Sequence, residues 1–239
     1  MNNLNTMKLN EISTEYPLAV GILQSYGLDA CARGTQNFAE ACAERGIAPE
    51  NVANEIRQSA IHSSPTGAHD SMPIPDLVRQ ILDTHHEYLH RSMPQIAEFS
   101  NRVARVHGDS HPEVVEINKI FADLKSELDD HLAKEEQILF PMIIDLCAAQ
   151  QNNTGWQAGH CGSVSNPIRV MNFEHESATA MLNRIRELSS DFTPPAEACN
   201  SYRFLYEKLK EFEADLVEHM RIETNVLFTR VEDLSHQKI

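Results

Sequence analysis

Twelve of the 239 residues are histidine, and several recur with glutamate at a helical spacing. The segment His131 to Phe140, His-Leu-Ala-Lys-Glu-Glu-Gln-Ile-Leu-Phe, aligns position for position with His219 to Phe228, His-Met-Arg-Ile-Glu-Thr-Asn-Val-Leu-Phe, 88 residues further on. An upstream histidine accompanies each copy: His86 lies 45 residues before His131, and His175 lies 44 before His219. The chain therefore carries one set twice, a His followed by His-x-x-x-Glu. A spacing of four puts His131 and Glu135 on one helix face, with about 5–6 Å between Cβ atoms, and does the same for His219 and Glu223. A single copy would read as a surface pair worth a few tenths of a kcal/mol. Two copies in register, each running into an apolar Leu-Phe, point instead to a buried constellation.

Four imidazoles and two carboxylates cost many kcal/mol of desolvation in an apolar core if they stay unpaired. Two metal ions satisfy all six at once. Imidazole with carboxylate suits iron, and a Glu from each of two helices is how a bundle bridges two irons. With an oxo or hydroxo bridge added, each iron has about five ligands and one open position. The zinc-protease motif His-Glu-x-x-His does not occur in the sequence, and neither a nucleophile-base pair nor a phosphate loop is visible, which disfavours a hydrolase or a transferase. Glu127, one turn before His131, and Glu174, beside His175, are placed either to orient ligands and relay protons or simply to face water. His85 and His90 flank His86 and read either as donors standing behind the ligands or, as the more ordinary expectation, as partly exposed residues. His107 and His111 bracket a turn at Gly108 and read as loop residues.

The elements that position this set are helices. From Leu9 to about Ala60 the sequence is punctuated by Pro17, Gly27, Gly34, Gly46 and Pro49, which predicts three or four short helices with apolar stripes at Leu18, Ile22, Leu23 and Tyr26 and at Phe38, Ala41 and Cys42. The polar stretch from His62 to Ser71 reads as a linker. Four longer segments follow, Pro75 to about Val106, Pro112 to about Cys147, one opened by Asn166 as N-cap with Pro167 at the first helical position and ending near Ser190, and Pro195 to about Leu234. Pro94 and Pro141 are expected to kink or locally break two of them. The expected fold is all-α: a small N-terminal helical domain (1–61), a linker (62–73) and an up-down-up-down four-helix bundle (74–239).

Composition narrows the partners. Twenty Lys and Arg against thirty-five Asp and Glu give a net charge of −15, which argues against nucleic acid and against an anionic membrane surface. No apolar run approaches the roughly 20 residues of a transmembrane helix, and the first residues lack a secretory signal. The five cysteines, an odd and scattered number, read as reduced thiols, and a cytoplasmic location is expected.

At these residues the sequence resembles the Repair of Iron Centres family, a di-iron branch of the hemerythrin-like bundles. The resemblance rests on Glu127 to Pro141, on Glu174-His175 and on His219 to Phe228, and it extends over nearly the whole chain. It implies that His86, His131, Glu135, His175, His219 and Glu223 hold two non-haem irons. It also implies repair of iron-sulfur clusters damaged by nitric oxide or oxidants, with damaged iron-sulfur proteins as partners and the bundle as iron donor. Two further readings stay open: a binder of nitric oxide or dioxygen acting as scavenger or sensor, and reduction of nitric oxide at the paired irons. The N-terminal unit resembles the family's small leading domain and is expected to contact a second copy, as a homodimer, or the client. That domain usually carries two adjacent cysteines. Here the motif is Cys31-Ala32-Arg33-Gly34, which leaves Cys31 as a candidate reactive thiol without a neighbouring partner. The stretch Ala148 to Ser165 is longer than the family's usual connection.

Overall fold

The computed structural model describes residues 4–16, 19, 22–23, 26–28, 35–53, 56, 67–152, 154–156 and 162–236. The chain divides into two compact units, Met1–Ala68 and His69–Ile239. In the first, a short helical turn Leu4–Thr6 and the helices Leu9–Glu15 and Phe38–Glu44 gather around Leu9, Ile12, Leu23, Phe38 and Cys42, all buried. Asn37 caps the helix that follows it, accepting from the backbone N–H of Ala39 at 2.9 Å and of Glu40 at 3.2 Å. Gly46, at φ +69°, ends that helix, and the amide of Ile47 returns to the Cys42 carbonyl at 3.0 Å. The Cys42 thiol, fully buried in this small core, is pushed up by burial and is no candidate nucleophile. Cys31 and Leu18 lie outside the described residues.

The second unit is built from four long helices. The first runs as Ile74–Ile81, a π-helical turn Leu82–His86, and Glu87–His107; the second as Pro112–Lys134, a π turn Glu135–Leu139, and Phe140–Gln151. The third is the uninterrupted helix Ser165–Leu188, and the fourth runs as Asn200–Ile222, a π turn Glu223–Phe228, and Thr229–His236. First packs on second, second on third, and fourth on first and third, as an antiparallel bundle requires. Among the described residues no helix is long and apolar enough to cross a membrane.

Three details of the sequence reading change. The third helix begins at Ser165, so Asn166 lies inside its first turn and does not cap it. The fourth begins at Asn200 with Cys199 as N-cap, later than Pro195, after a connection that leaves the third helix through a left-handed run, Ser190, Asp191 and Phe192 at φ 49°, 56° and 56°. Pro94 does not interrupt its helix, whereas Pro141 follows directly on a helix that has already widened into a π turn.

The bundle core is split. One apolar cluster contains Leu89, Met93, Phe121, Leu132, Leu182 and Phe212, and the other contains Leu77, Ile81, Leu139, Phe140, Met171 and Phe228. On every long helix the switch from one cluster to the other falls at the histidines and glutamates of the repeat. A polar layer thus sits between two hydrophobic plugs that hold water out and fix the four backbones around it.

Candidate metal centre

All six residues of the repeat meet in that layer. His86, His131 and His175 are 2 %, 2 % and 7 % exposed, and Glu135, His219 and Glu223 are fully buried. Their donor atoms fall into two groups, His86, Glu135, His219 and Glu223 in one and His131, Glu135, His175 and Glu223 in the other, each with all four atoms within 4.8 Å of one another. Both carboxylates belong to both groups. A donor set shared in this way suits a pair of metal ions.

The local backbone explains how they reach the layer. Glu135 and Glu223 each open a π turn, and His86 closes one. π turns inside α-helices occur frequently at functional sites, where they re-aim side chains that an unbroken helix would point elsewhere. Nothing in residue spacing announces them.

The glutamates are close to the imidazole nitrogens without proper hydrogen bonds. His219 Nε2 is 2.9 Å from Glu223 Oε1, His175 Nε2 is 3.3 Å from Glu223 Oε2, and His86 and His131 Nε2 are 3.4 and 3.5 Å from Glu135 Oε2. All four carboxylate oxygens are buried without a hydrogen-bond partner. Buried polar atoms in that state are rare and costly, and a cation between them is what such a donor set lacks. The buried His/Glu cluster therefore fits a pair of metal ions.

The outer nitrogens fix the tautomers. His86 Nδ1 lies 2.9 Å from Glu136 Oε1, and His131 Nδ1 lies 2.9 Å from Glu174 Oε2. Each carboxylate can only accept, so each Nδ1 carries the proton. For His175 the partner is the Thr224 hydroxyl at 3.1 Å, which itself donates to Asn172 Oδ1 at 3.2 Å and so accepts from His175. These three imidazoles can thus turn an Nε2 lone pair inward, as metal ligation requires. His131 and His175 Nε2 are then only 3.3 Å apart, a contact that needs a cation or a proton between them. Without a metal, protons take that role. Burial works against the charge on His86, yet Glu135 and Glu223 outweigh it and push its pKa up to about 10. His175 is raised too: Glu223 outweighs its burial. Glu223 is held well below the carboxylate range, since His219, His175 and His86 outweigh its burial.

Of the two acids singled out beside the ligand set, Glu174 reaches it. Its carboxylate joins His131 to Lys134, and these two hold its pKa down against the effect of burial. Glu127 is exposed and accepts from the Ser177 hydroxyl at 2.9 Å. Both line a cavity of about 10 Å³, room for about one water molecule, together with Leu128, His131, His175, Ala178, Leu216 and Met220.

Three contributors escaped the spacing argument. Glu136 follows Glu135 and Thr224 follows Glu223, at equivalent places in the repeat, and each serves the upstream histidine of one half. The repeat itself held that signal. His85 is buried rather than partly exposed: its ring stacks on His219 at 5.5 Å and 10°, and its Nδ1 meets Asp215 Oδ1 at 3.0 Å. His90 is exposed and shares Glu136 Oε1 with His86. At the far end of the bundle, His107 Nε2 lies 3.1 Å from Cys199 Sγ, and His111 pairs with Glu113 at 3.0 Å.

Residues 77–231, which span all six donors, match the family described as Hemerythrin HHE cation binding domain. Residues 5–60 match ScdA_N, a domain of unknown function. The chain is 32 % identical over 224 residues to the iron-sulfur cluster repair protein YtfE of Yersinia pseudotuberculosis, covering 93 % of this chain and 95 % of that one. It belongs to the ScdA/YtfE family of iron-sulfur cluster repair proteins. The YtfE of Citrobacter koseri is 32 % identical over 222 residues, with 93 % of this chain and 94 % of the relative covered. The ScdA of Staphylococcus haemolyticus is 28 % identical over 220 residues, with 92 % and 95 % covered. Similarity to ScdA and YtfE thus runs through both units, which makes the small N-terminal unit as much a part of the family's plan as the bundle.

Proposed function

We propose that the chain restores damaged iron-sulfur clusters, holding two non-haem irons in the bundle layer and giving up iron to the client protein. His86 and His219 would hold one ion and His131 and His175 the other, with Glu135 and Glu223 within reach of both. The observation that carries this reading is the pair of fully buried carboxylates, all four oxygens without hydrogen-bond partners, shared by two histidine pairs. The irons, when bound, supply both a transferable metal and a redox centre with open coordination positions.

The chain's own residues supply the rest. Glu136, Glu174 and Thr224 hold the imidazoles in the ligating tautomer, and the two apolar plugs exclude water. Glu127 and Glu174, at the cavity beside His131 and His175, form an acidic rim along which a cation can pass between the layer and the surface. Damaged iron-sulfur proteins are the partners, and the N-terminal unit, with Cys31 as its candidate thiol, makes contact with the client or with a second copy.

A second reading, capture or reduction of nitric oxide or dioxygen, draws on that same cavity, which has the size of one small molecule. One experiment separates them: the reduced, iron-loaded protein is incubated with a nitric-oxide-damaged cluster enzyme, and recovered activity, gas consumption and bundle iron are followed together. Recovery with iron lost from the bundle supports repair by donation. Gas uptake without recovery supports a binder, and sustained nitrous oxide production supports a reductase.

A further inference from the structure

The two halves of the repeat are not equally furnished around their histidines. In one half the residue before the upstream histidine is Glu174, and its carboxylate takes the outer proton of His131. In the other half the equivalent residue is His85, which has no acceptor carboxylate to offer and lies flat against the ring of His219. Of the four inward imidazoles, only His219 has an outer nitrogen, Nδ1, that is buried without a hydrogen-bond partner. A second orphan sits nearby. Asp215 lies one helical turn before His219 on the same helix face, the place that Glu127 holds relative to His131, and its Oδ2 is also buried without a partner. Its other oxygen is tied to His85 at 3.0 Å.

We infer that Asp215 is the positioning residue for His219: with a metal ion on Nε2, Nδ1–H donates to Asp215 Oδ2, while His85 clamps the other oxygen and packs the ring. Residues four apart on a helix have about 5–6 Å between Cβ atoms, which puts the two orphaned atoms within side-chain reach of each other. A ligating imidazole whose other N–H meets a carboxylate is fixed in tautomer and is the more basic ligand. His85 is then no accident of the repeat. It replaces Glu174 by stacking and hands the carboxylate role to Asp215, so the two ions sit in chemically different surroundings. The inference rests on the di-metal reading above and goes beyond it in assigning a residue outside the six donors.

The test uses the full chain loaded with cobalt(II), whose paramagnetism shifts the exchangeable N–H protons of coordinated histidines out of the protein envelope in proton NMR. The wild type is expected to show four such signals. Asp215→Ala is expected to lose or strongly broaden one, that of His219, and to bind one of its two cobalt ions about 10- to 100-fold more weakly. Asp215→Asn, of the same shape and retaining an acceptor oxygen, is expected to fall between, which separates loss of the hydrogen bond from a failure to fold. Four unchanged signals and unchanged affinities in Asp215→Ala overturn the assignment while leaving the di-metal centre intact. A wild type that binds no pair of ions overturns the di-metal reading, and this inference with it.

Discussion

Glu174 ties Lys134 to His131, one oxygen on the ammonium and the other 2.9 Å from the imidazole Nδ1. The lysine keeps the carboxylate ionised, and the carboxylate keeps the histidine proton on the outer nitrogen. Replacing it with Leu removes the acceptor while leaving all six donors in place. Glu174→Leu is expected to retain a di-iron spectrum at saturating iron but to lose iron to a chelator about 10- to 100-fold faster. Stopped-flow chelation of the loaded protein reads this directly, and wild-type rates would remove Glu174 from any role at the site.

Glu127 predicts a different pattern. It is exposed and bonded to Ser177, and His131 already has its carboxylate in Glu174, so Glu127 contributes little to affinity. Its place is at the rim of the cavity. Glu127→Leu is expected to leave the equilibrium iron affinity within about twofold, below the usual effect of removing a ligand's partner, while slowing both loading and release. Equal slowing of both is the sign of a path, and unchanged rates in both directions would place the route elsewhere.

The metal-free layer is expected to be held together by protons. With His86 pushed up to about 10, its imidazole is charged at neutral pH, His175 is shifted in the same direction, and an ion must displace such protons to reach Nε2. Loading at pH 7 therefore releases protons, and apparent affinity rises as pH increases from 7 towards 10. In the metal-free protein the sign is opposite. A raised folded-state value stabilises the fold fully below about pH 6.5, and that contribution is lost as pH rises through about 10. Calorimetric titration with cobalt(II) in buffers of different ionisation enthalpy counts the released protons, and a heat independent of buffer would contradict the account.

The donors were legible because they obey helical spacing twice over: His131 and Glu135, like His219 and Glu223, lie four apart, and a repeated interval survives any error in helix ends. The bundle was legible for the same reason, its apolar stripes and prolines marking each long segment. What spacing could not show was backbone widening. The π turns at Leu82–His86, Glu135–Leu139 and Glu223–Phe228 fall at the polar layer and leave no mark in residue type. For His85 the expectation of partial exposure failed and the reading as a residue behind the ligands held, since it sits in a π turn and packs on the ring of His219 from another helix. The fourth helix starts at Asn200 and not at Pro195, and the left-handed run before it, with the amide of Phe192 held by Ser189 Oγ at 3.0 Å, is likewise a backbone feature that residue type does not announce. Glu136 and Thr224 were visible as equivalent positions, but their role depends on which helix lies opposite.

Whether Glu135 and Glu223 bridge two irons is read by Mössbauer spectroscopy of the iron-57-loaded chain. Two irons per chain, spin-coupled in the oxidised protein, are expected, with Glu223→Ala losing the coupling and at least one iron. A chain that binds a single iron, or two irons with no magnetic coupling, or a Glu223→Ala variant with the wild-type spectrum, would contradict such bridging.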